Sequence, residues 1–562
     1  MKTFFQRWGL PLLTVFTFFY LLGGRSLNEP DEGRYSEIAR EMIETGDWLV
    51  PHLWYIPHLD KPPMTYWIEA ASMKCFGQNE WAVRLPLALA GIGGVWAAFL
   101  LGCSVGGRRV GVWAALILQS SLLFFVMARM LTTDIYLTLF TTWAIYFFWR
   151  SHPVNAERGV RNAEHWKWNI AGWVALAFGF LTKGPVALAI PAAAFGALMI
   201  YRRDQITVKN FLSGAAAGLV VFLALAAPWF IAVFRTVPAS GHFMVFGQAA
   251  GHLLGTTIKD RGGSPFYFFA ILLVGLMPWT IWLGWLWRRA HWRSLDDRSK
   301  AAWLVLSVWT IFTFTLFSLS RSKLPAYILP IFPALSVLLA WRFFDGEERP
   351  SFRVPGRISL ACSLLLLVVL PLALRFGFRV ELPLWLIGQT AVAGAVLLFV
   401  HWRGADWDTG RRAATTVALT LLGFYIVLPS LPRFENAFRG NQTMKPLGAL
   451  LRENYQPGDA VICWGRLPQG LPFYAGGVIS ATNRPYFGGM DLAQMPFRFP
   501  GNRERLGDHL LPDDDALIRM AAGDRRIWIV AYGTTFEKFE QAHRIIFRPV
   551  AHVGQWELFS NR

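Results

Sequence analysis

The sequence is poor in cysteine and in the motifs that bind nucleotides. Four of its 562 residues are cysteine, and their spacing predicts neither a disulfide framework nor a metal site. It contains no Walker loop, no glycine-rich dinucleotide fingerprint and no histidine pair at zinc-binding spacing. These absences argue against an ATP-driven or nicotinamide-dependent mechanism, and we expect no nucleotide cofactor.

Acidic residues are also scarce relative to basic ones. There are 36 Asp and Glu against 54 Lys and Arg, giving a formal net charge of +18. The basic residues cluster in short loops between apolar runs, and they form no stripe interleaved with exposed aromatic residues. This distribution is typical of contact with anionic lipid and does not indicate nucleic acid binding.

What the chain has in abundance is apolar sequence. Hydrophobic residues make up 54% of it, with 27 Trp and 45 Phe. The pattern predicts a polytopic α-helical membrane protein with about 13 spans, the first being a retained helix and not a cleaved signal peptide. The expected spans lie near residues 10–24, 84–105, 110–128, 134–150, 169–182, 185–201, 211–234, 266–287, 301–319, 325–341, 358–374, 383–401 and 413–430.

The charge of the loops predicts the orientation of the protein. Alternate loops are rich in Lys and Arg, and the positive-inside rule makes those loops and the N-terminus cytoplasmic. Residues 25–81, residues 235–264 and everything after Pro429 then face the periplasm of a bacterial inner membrane. We expect a transmembrane domain, 1–430, whose periplasmic loop 25–81 is catalytic, and a periplasmic domain, 431–562.

The tail is predicted to form a small α/β domain. Hydropathy falls after about residue 430, and a helical pattern near 444–455 is followed by strand patterns at 460–465, 527–532 and 553–559. Pro-Gly-Asp and Gly-Asp sequences separate these patterns and are typical of turns.

Charged residues gather at the predicted outer ends of the helices. They are Asp31, Glu32, Arg34, Asp60, Lys61, Asp134, Lys183, His242, His252, Lys259, Arg261, Arg321 and Lys323. Charges at an interface often anchor helix ends and snorkel, which is the alternative to a functional role. Carboxylates flanked by several cations suit a lipid-linked phosphate better. Lys61, Arg34, Arg261, Arg321 and Lys323 are the candidates for binding it.

The motifs carry a family resemblance. PDEGRYSEIAREM, GDWLVPHL, DKPPMTYW, the Asp134 segment, LTKG and RSKLPAYILPIFPAL together resemble the protein-mannosyltransferase and aminoarabinose-transferase superfamily of membrane glycosyltransferases, which have the C-type fold. The chain is most similar to the lipid A 4-amino-4-deoxy-L-arabinose transferases within it. Those proteins also combine about 13 spans with a C-terminal periplasmic domain.

The resemblance implies transfer of a sugar from undecaprenyl phosphate to a periplasmic acceptor, such as a lipid A phosphate. By matching motif, Asp31 is the principal catalytic carboxylate, Asp134 the second acidic site, and Lys61 with Arg34 the donor-phosphate contacts. Accessory residues are Glu32, Tyr35, Asp60 and His252. Two departures, Asp60 in place of Glu and GQAAGHLLG in the outer loop, leave open the identity of the sugar and whether a metal is bound.

Three other functions remain as alternatives. They are protein O-mannosylation, assembly of a different envelope glycan, and lipid flipping or transport. A transporter would place its charges near the membrane midplane in broken helices, whereas here they lie at one face. A purely structural membrane protein is the last alternative.

Overall fold

The structure is a computed structural model. It describes residues 2–152, 163–202, 208–250, 263–286, 292–293, 295–344, 409–430, 443–490, 497 and 499–562, with a few positions between 384 and 395. Contacts divide the chain into two compact units. Unit 1 comprises Met1–Leu21 and Leu87–Leu428, and unit 2 comprises Leu22–Pro86 and Pro429–Arg562.

Unit 1 is helical throughout its described part. Its helices up to residue 236 are α1 (Lys2–Phe19), α4 (Glu80–Gln119, of which the first turns belong to unit 2), α5 (Leu122–Met127), α6 (Asp134–Ser151), α7 (Ala163–Lys183), α8 (Val186–Tyr201) and α9 (Val208–Thr236). Further along are Ser240–His242, a π-helix Phe243–Ala250, Tyr267–Gly275, a 3₁₀ turn Trp279–Trp282, Leu283–Leu286, Asp297–Leu319, a 3₁₀ turn Pro325–Ile331, Phe332–Phe344, Thr409–Val427 and a 3₁₀ turn Leu428–Ser430.

Within the described residues, four helical segments are long and apolar enough to cross a membrane. They are Glu80–Gln119, Gly214–Thr236, Asp297–Leu319 and Pro325–Phe344. The predicted spans up to 341 each overlap helical segments of the described residues. The spans predicted at 358–374 and, for the most part, 383–401 lie outside the described residues.

Two predicted spans, 84–105 and 110–128, are joined in α4 by a break at Gly106 and Gly107, where Gly107 has φ +81°. A Cβ on Gly102 would lie 2.8 Å from the Cα of Gly111. Nine residues of unbroken helix would separate these positions by about 13 Å. The chain therefore folds back at the glycine pair, and only residues without a side chain allow so close a crossing.

The span predicted at 266–287 is wrong as a single helix. It is interrupted after Gly275 and resumes at Trp279, with Pro278 between the two pieces. Proline lacks the amide proton that an α-helix needs and its ring clashes with the preceding turn, which explains the break.

Helices α6 and α7 form an antiparallel pair in unit 1. Phe140 packs near Gly179, and Phe148 lies against Gly172. The sequence order of these contacts runs in opposite directions along the two helices. The first residue of α6, Asp134, therefore meets the last residue of α7, Lys183.

Unit 2 combines the polar segment after α1 with the tail. Its first part holds α2 (Asp31–Thr45), a hairpin of β1 (His52–Leu53) and β2 (Ile56–Pro57), and α3 (Met64–Phe76). The tail holds β3 (Ala460–Trp464), β4 (Tyr486–Gly488), β5 (Ile527–Tyr532), β6 (Arg548–Val553) and β7 (Trp556–Ser560). Its helical segments are Lys445–Asn454, Leu471–Ala475, Gly476–Val478, Asn502–Leu506, Gly507–His509, Asp514–Ala522 and Thr535–His543.

The tail sheet has the order β4-β3-β5-β7-β6, with β3 parallel to β4 and β5 and the other pairs antiparallel. Its core includes Ile462, Leu517, Ile529 and Phe536. The predicted strands at 460–465 and 527–532 and the helix near 444–455 are present. The single strand expected at 553–559 is instead the end of one strand and the start of another, because Gly554 turns the chain at φ +67°.

The contact units and the hydropathy boundary group the chain by different criteria. Contacts join residues 22–86 to the tail, whereas hydropathy assigned them to the membrane domain. The predicted domains, 1–430 and 431–562, remain predictions.

Candidate active site

The polar segment folds into a helix that starts at the motif residues. Asp31 and Glu32 occupy the first turn of α2, where negative charge is favourable, and Gly46 ends the helix at φ +71°. Pro30 precedes α2 and supplies no side-chain cap. The helix thus presents Asp31 at its exposed beginning.

Asp31 forms an ion pair with Arg34 on the same face of α2. The Arg34 guanidinium also lies over the ring of Tyr35, 5.4 Å from its centroid. Tyr35 stacks on Tyr66 of α3, with ring centroids 5.6 Å apart. Two predicted site residues and the accessory Tyr35 are therefore in one cluster, which we call the α2 cluster: Asp31, Arg34, Tyr35 and Tyr66.

The charge on Arg34 is secured by its surroundings. Burial lowers its pKa, but the negative charge of Asp31 outweighs that effect, and the neighbouring tyrosines and Asp60 act in the same direction. The net result is that the pKa of Arg34 is raised. Asp60 is thus near enough to Arg34 to act on it electrostatically.

Lys61 and Asp60 are half-buried and come just before α3. Pro62 and Pro63 follow Lys61. Each proline fixes its own backbone φ and restricts the residue before it, so the approach of Lys61 to the helix is stiff.

Glu32 has a different environment from its neighbour Asp31. Its carboxylate is fully buried and accepts hydrogen bonds from Arg25 at 2.6 and 2.9 Å and from Arg84 at 3.1 Å. Burial would raise its pKa, but Arg25 and Arg84 outweigh burial and lower the pKa of Glu32 to about 2. Arg84 also donates to the backbone oxygens of Arg25 and Ser26. Glu32 thus ties the start of α4 to the chain before α2, and its accessory role at the site remains a prediction.

Unit 1 holds a second cluster, which we call the α6 cluster: Asp134, Lys183 and Tyr327. Asp134 pairs with Lys183, and both side chains are more than nine-tenths buried. The Lys183 amine lies 4.2 Å from the ring centroid of Tyr327, a distance at which the ring face attracts a cation. Gly184, at φ +69°, ends α7 directly after Lys183 and so fixes where the lysine stands.

Arg321 and Lys323 follow the helix Asp297–Leu319, and the structure gives them different surroundings. Arg321 is exposed. The Lys323 amine is buried and donates to the backbone oxygens of Ser318 at 2.8 Å and Ser320 at 2.6 Å. Lys323 thus satisfies carbonyl groups at the end of the helix, and its predicted contact with the donor phosphate remains a prediction.

Two predicted site residues, His252 and Arg261, lie outside the described residues. In the described ranges, no three His, Cys, Asp or Glu side chains come together in a way that could hold a metal ion.

Comparison with known proteins places the chain. The family model for dolichyl-phosphate-mannose-protein mannosyltransferases matches residues 60–231. An undecaprenyl phosphate-α-4-amino-4-deoxy-L-arabinose arabinosyl transferase from Edwardsiella ictaluri is 32% identical over 431 residues, covering 73% of this chain and 75% of that protein. The transferase of the same name from Aeromonas salmonicida is 32% identical over 488 residues, covering 82% and 84%. The chain belongs to this arabinosyl transferase family.

Solved structures agree on the fold. The crystal structure of ArnT from Cupriavidus metallidurans bound to undecaprenyl phosphate has a TM-score of 0.79 and 24% identity, covering 98% of this chain and 97% of that one. The apo oligosaccharyltransferase from Archaeoglobus fulgidus has a TM-score of 0.52 and 13% identity, covering 94% and 70%. The predicted multispan helical membrane fold with a small C-terminal sheet domain, and the predicted glycosyltransferase class, are confirmed.

Three residues that contact these charged and aromatic residues were not identified from the sequence: Tyr327, Arg84 and Tyr66. Tyr327 was quoted within RSKLPAYILPIFPAL without a role. Arg84 is a cation inside an apolar run, and such residues usually have a buried partner. Tyr66 lies at the third position of α3, and an aromatic residue there gave no signal beyond ordinary packing.

Proposed function

We propose that this protein transfers 4-amino-4-deoxy-L-arabinose from undecaprenyl phosphate to a phosphate group of lipid A. Supporting this is the similarity to relatives whose names state the undecaprenyl phosphate-linked sugar. The observation that carries it is the pairing of a partly exposed carboxylate, Asp31, with Arg34 at the beginning of α2. A carboxylate and a guanidinium side by side can meet the two ends of a sugar phosphate.

In this proposal Arg34 and Lys61 bind the donor phosphate. Arg offers a planar fork to phosphate oxygens, and Lys offers a compact charge. As the glycosidic bond breaks, negative charge builds on the leaving undecaprenyl phosphate, and fixed cations stabilise it. Arg321, which is exposed, remains a predicted donor-phosphate contact. Arg261 and His252, also predicted from the sequence, lie outside the described residues.

Asp31 acts on the sugar or on the acceptor. A lipid A phosphate is already anionic at neutral pH and needs little help in losing a proton. With that acceptor Asp31 orients the amine of the sugar and stabilises positive charge at the anomeric carbon. With a hydroxyl acceptor Asp31 would instead take the hydroxyl proton as general base.

Asp134 is the second acidic residue of the proposal, and it works through Lys183. Its carboxylate holds the lysine amine against Tyr327. The pair thereby keeps a cation at a defined point where the membrane helix α7 ends.

We further propose that residues 25–81 and the tail face the periplasm. The Lys and Arg bias of the alternate loops supports this orientation. A periplasm-active reporter fused after Arg562 is expected to be active. An inactive periplasmic fusion together with an active cytoplasmic fusion would contradict the orientation.

Protein O-mannosylation is the second candidate, favoured by the match of residues 60–231 to the mannosyltransferase model. Mass spectrometry of lipid A from cells with and without the gene separates the two. We expect the gene to add the mass of one aminoarabinose to a lipid A phosphate. Unchanged lipid A with gene-dependent hexose on periplasmic proteins would support the second candidate.

A further inference from the structure

The side chain of Glu29, just before α2, contacts the tail. Its carboxylate accepts hydrogen bonds from the backbone amides of Gln469 at 2.8 Å and Gly470 at 2.6 Å. Both amides lie in the turn that precedes the helix Leu471–Ala475. We call these two hydrogen bonds the Glu29 fork. Glu29 is two residues before Asp31, so the Glu29 fork fixes the chain just ahead of the candidate catalytic carboxylate.

Close backbone packing reinforces the fork. A Cβ on Gly33 would lie 2.3 Å from Oε1 of Glu29 and 2.7 Å from the backbone nitrogen of Gly470. A Cβ on Gly470 would lie 2.7 Å from the same Oε1 and 3.1 Å from the Cα of Gly33. Two glycines therefore let the tail approach the first turn of α2 at backbone distance.

The first turn has few other supports. Pro30 supplies no side-chain cap, and the turn is closed by backbone bonds from Gly33 to Asn28 at 3.3 Å and from Arg34 to Pro30 at 3.0 Å. Glu32 anchors the turn on another side through Arg25 and Arg84. The tail also contacts this segment where the Leu27 amide donates to Tyr474 Oη at 2.7 Å. The Glu29 fork is the tail contact nearest in sequence to Asp31 that uses a side chain of this segment.

We propose that Glu29 is a positioning residue through which the tail orders the first turn of α2 and so orients Asp31 for transfer. This role deepens the proposed function and rests on it for its effect on turnover. It gives the tail a part in the reaction without placing a tail side chain on the substrate.

The test uses the full-length protein in detergent or lipid nanodiscs. Glu29→Ala removes both acceptors, and Gly470→Ala wedges the contact open from the tail side. Gly477→Ala is the matched control, because a Cβ there meets nothing within 4 Å. Two independent variants guard against failure of one to fold.

Two quantities are measured for each variant. Hydrogen exchange reports the order of the first turn of α2 at residues 33–35, and single-turnover kinetics with donor-binding measurements separate rate from affinity. We expect Glu29→Ala and Gly470→Ala each to speed exchange at those amides by about tenfold, and to slow transfer by about tenfold with donor affinity within about twofold of wild type. The control is expected to match wild type in both.

Unchanged exchange at residues 33–35 in both variants would overturn the proposal, as would faster exchange with wild-type transfer rates. Loss of donor affinity in step with turnover would also overturn it, because a positioning role predicts a change in rate alone. If the wild-type protein itself transfers no sugar from undecaprenyl phosphate, the proposed function fails. In that case faster exchange still supports the ordering of α2 by the tail, and unchanged exchange overturns it.

Discussion

The α2 and α6 clusters each contain an aspartate that begins a helix and pairs with a cation, and they hold the pair in different ways. In the α2 cluster, Asp31 pairs with Arg34 of its own helix, and its side chain is 32% exposed. In the α6 cluster, Asp134 pairs with Lys183 of a neighbouring helix, and its side chain is 6% exposed. In our proposal the first carboxylate contacts a ligand directly, whereas the second fixes the position of a cation.

Asp31 and Glu32 are adjacent in sequence and also differ in burial. Glu32 follows Asp31 but is fully buried between two arginines. An α-helix turns by about 100° per residue, so adjacent residues face different surroundings. Composition alone marks both as charged motif residues, whereas the structure leaves Asp31 partly exposed and buries Glu32 against Arg25 and Arg84.

The largest effect is expected when the charge of Glu32 is removed. Glu32→Gln leaves the buried Arg84 and the partly buried Arg25 without their counter-charge, and we expect the folded state to lose about 3–5 kcal/mol. A folded-state pKa lowered to about 2 means that the wild-type stabilisation is present above the ordinary carboxyl pKa and is lost as pH falls toward 2.

Thermal unfolding across that pH range checks this expectation, with Glu504→Gln as an exposed control. The variant should unfold at lower temperature near neutral pH and should lack the acid-dependent loss. A Glu32→Gln protein as stable as wild type but inactive would make Glu32 a reacting residue after all.

The α6 cluster gives the next effect. Asp134→Asn should slow transfer about 100-fold because Lys183 loses the charge that fixes its amine. Asp297→Asn is the matched control, since Asp297 also begins a helix and pairs with a cation, Arg202, but its side chain is 72% exposed. Wild-type transfer by the Asp134 variant would reduce this pair to a support between helices.

Smaller effects are expected at Arg321 and Lys323, which compare an exposed cation with a buried one. Arg321→Ala should weaken donor binding about tenfold and leave the melting temperature unchanged, because its side chain is exposed. Lys323→Ala should lower the melting temperature, because the amine holds two carbonyl groups at a helix end. Calorimetric donor binding and thermal unfolding distinguish them. Weaker donor binding with normal stability in Lys323→Ala would restore its predicted role in binding phosphate.

The smallest effect is a pH dependence at Glu29. Burial raises the pKa of Glu29 to about 7. The amides of Gly470 and Gln469 and the charges of Arg466 and Arg34 lower this pKa, but burial outweighs them. Because the folded-state pKa is raised, the stabilisation is present at acid pH and is lost as pH rises through about 7. Amide exchange at Gln469 and Gly470, corrected for the intrinsic rate, should therefore speed up as pH rises toward 7 and should level off above it. Glu29→Ala should show no such change.

Much of the fold could be predicted from the sequence. Long apolar runs located α6 and the helix Asp297–Leu319 closely, because a span must be apolar over about 20 residues. The strand runs at 460–465 and 527–532 stood out against a polar tail. The break at Gly107 falls between the spans predicted at 84–105 and 110–128. The break at Pro278 was not predicted, since apolar sequence continues through it.

The candidate site residues were named from the sequence, but their contacts were not predicted. Segment 25–81 was read as a loop, although Asp31, Glu32 and Gly46 mark a helix start and stop, and it folds as α2, a hairpin and α3. The pairing of Asp134 with Lys183 depends on the antiparallel packing of α6 and α7. The link between Glu29 and Gly470 spans 441 residues. No local pattern contains such partners, so tertiary packing had to reveal them.

In our proposal Asp31 and Lys61, both in segment 25–81, have different roles in transfer. Donor binding and single-turnover transfer, measured on the same purified protein in nanodiscs, test it most directly. We predict that Asp31→Asn binds the undecaprenyl phosphate-linked sugar like wild type but transfers it about 1,000-fold more slowly, whereas Lys61→Ala loses donor affinity as well as turnover. Equal loss of donor affinity in the two variants would contradict the account and make both residues parts of one structural ion-pair network.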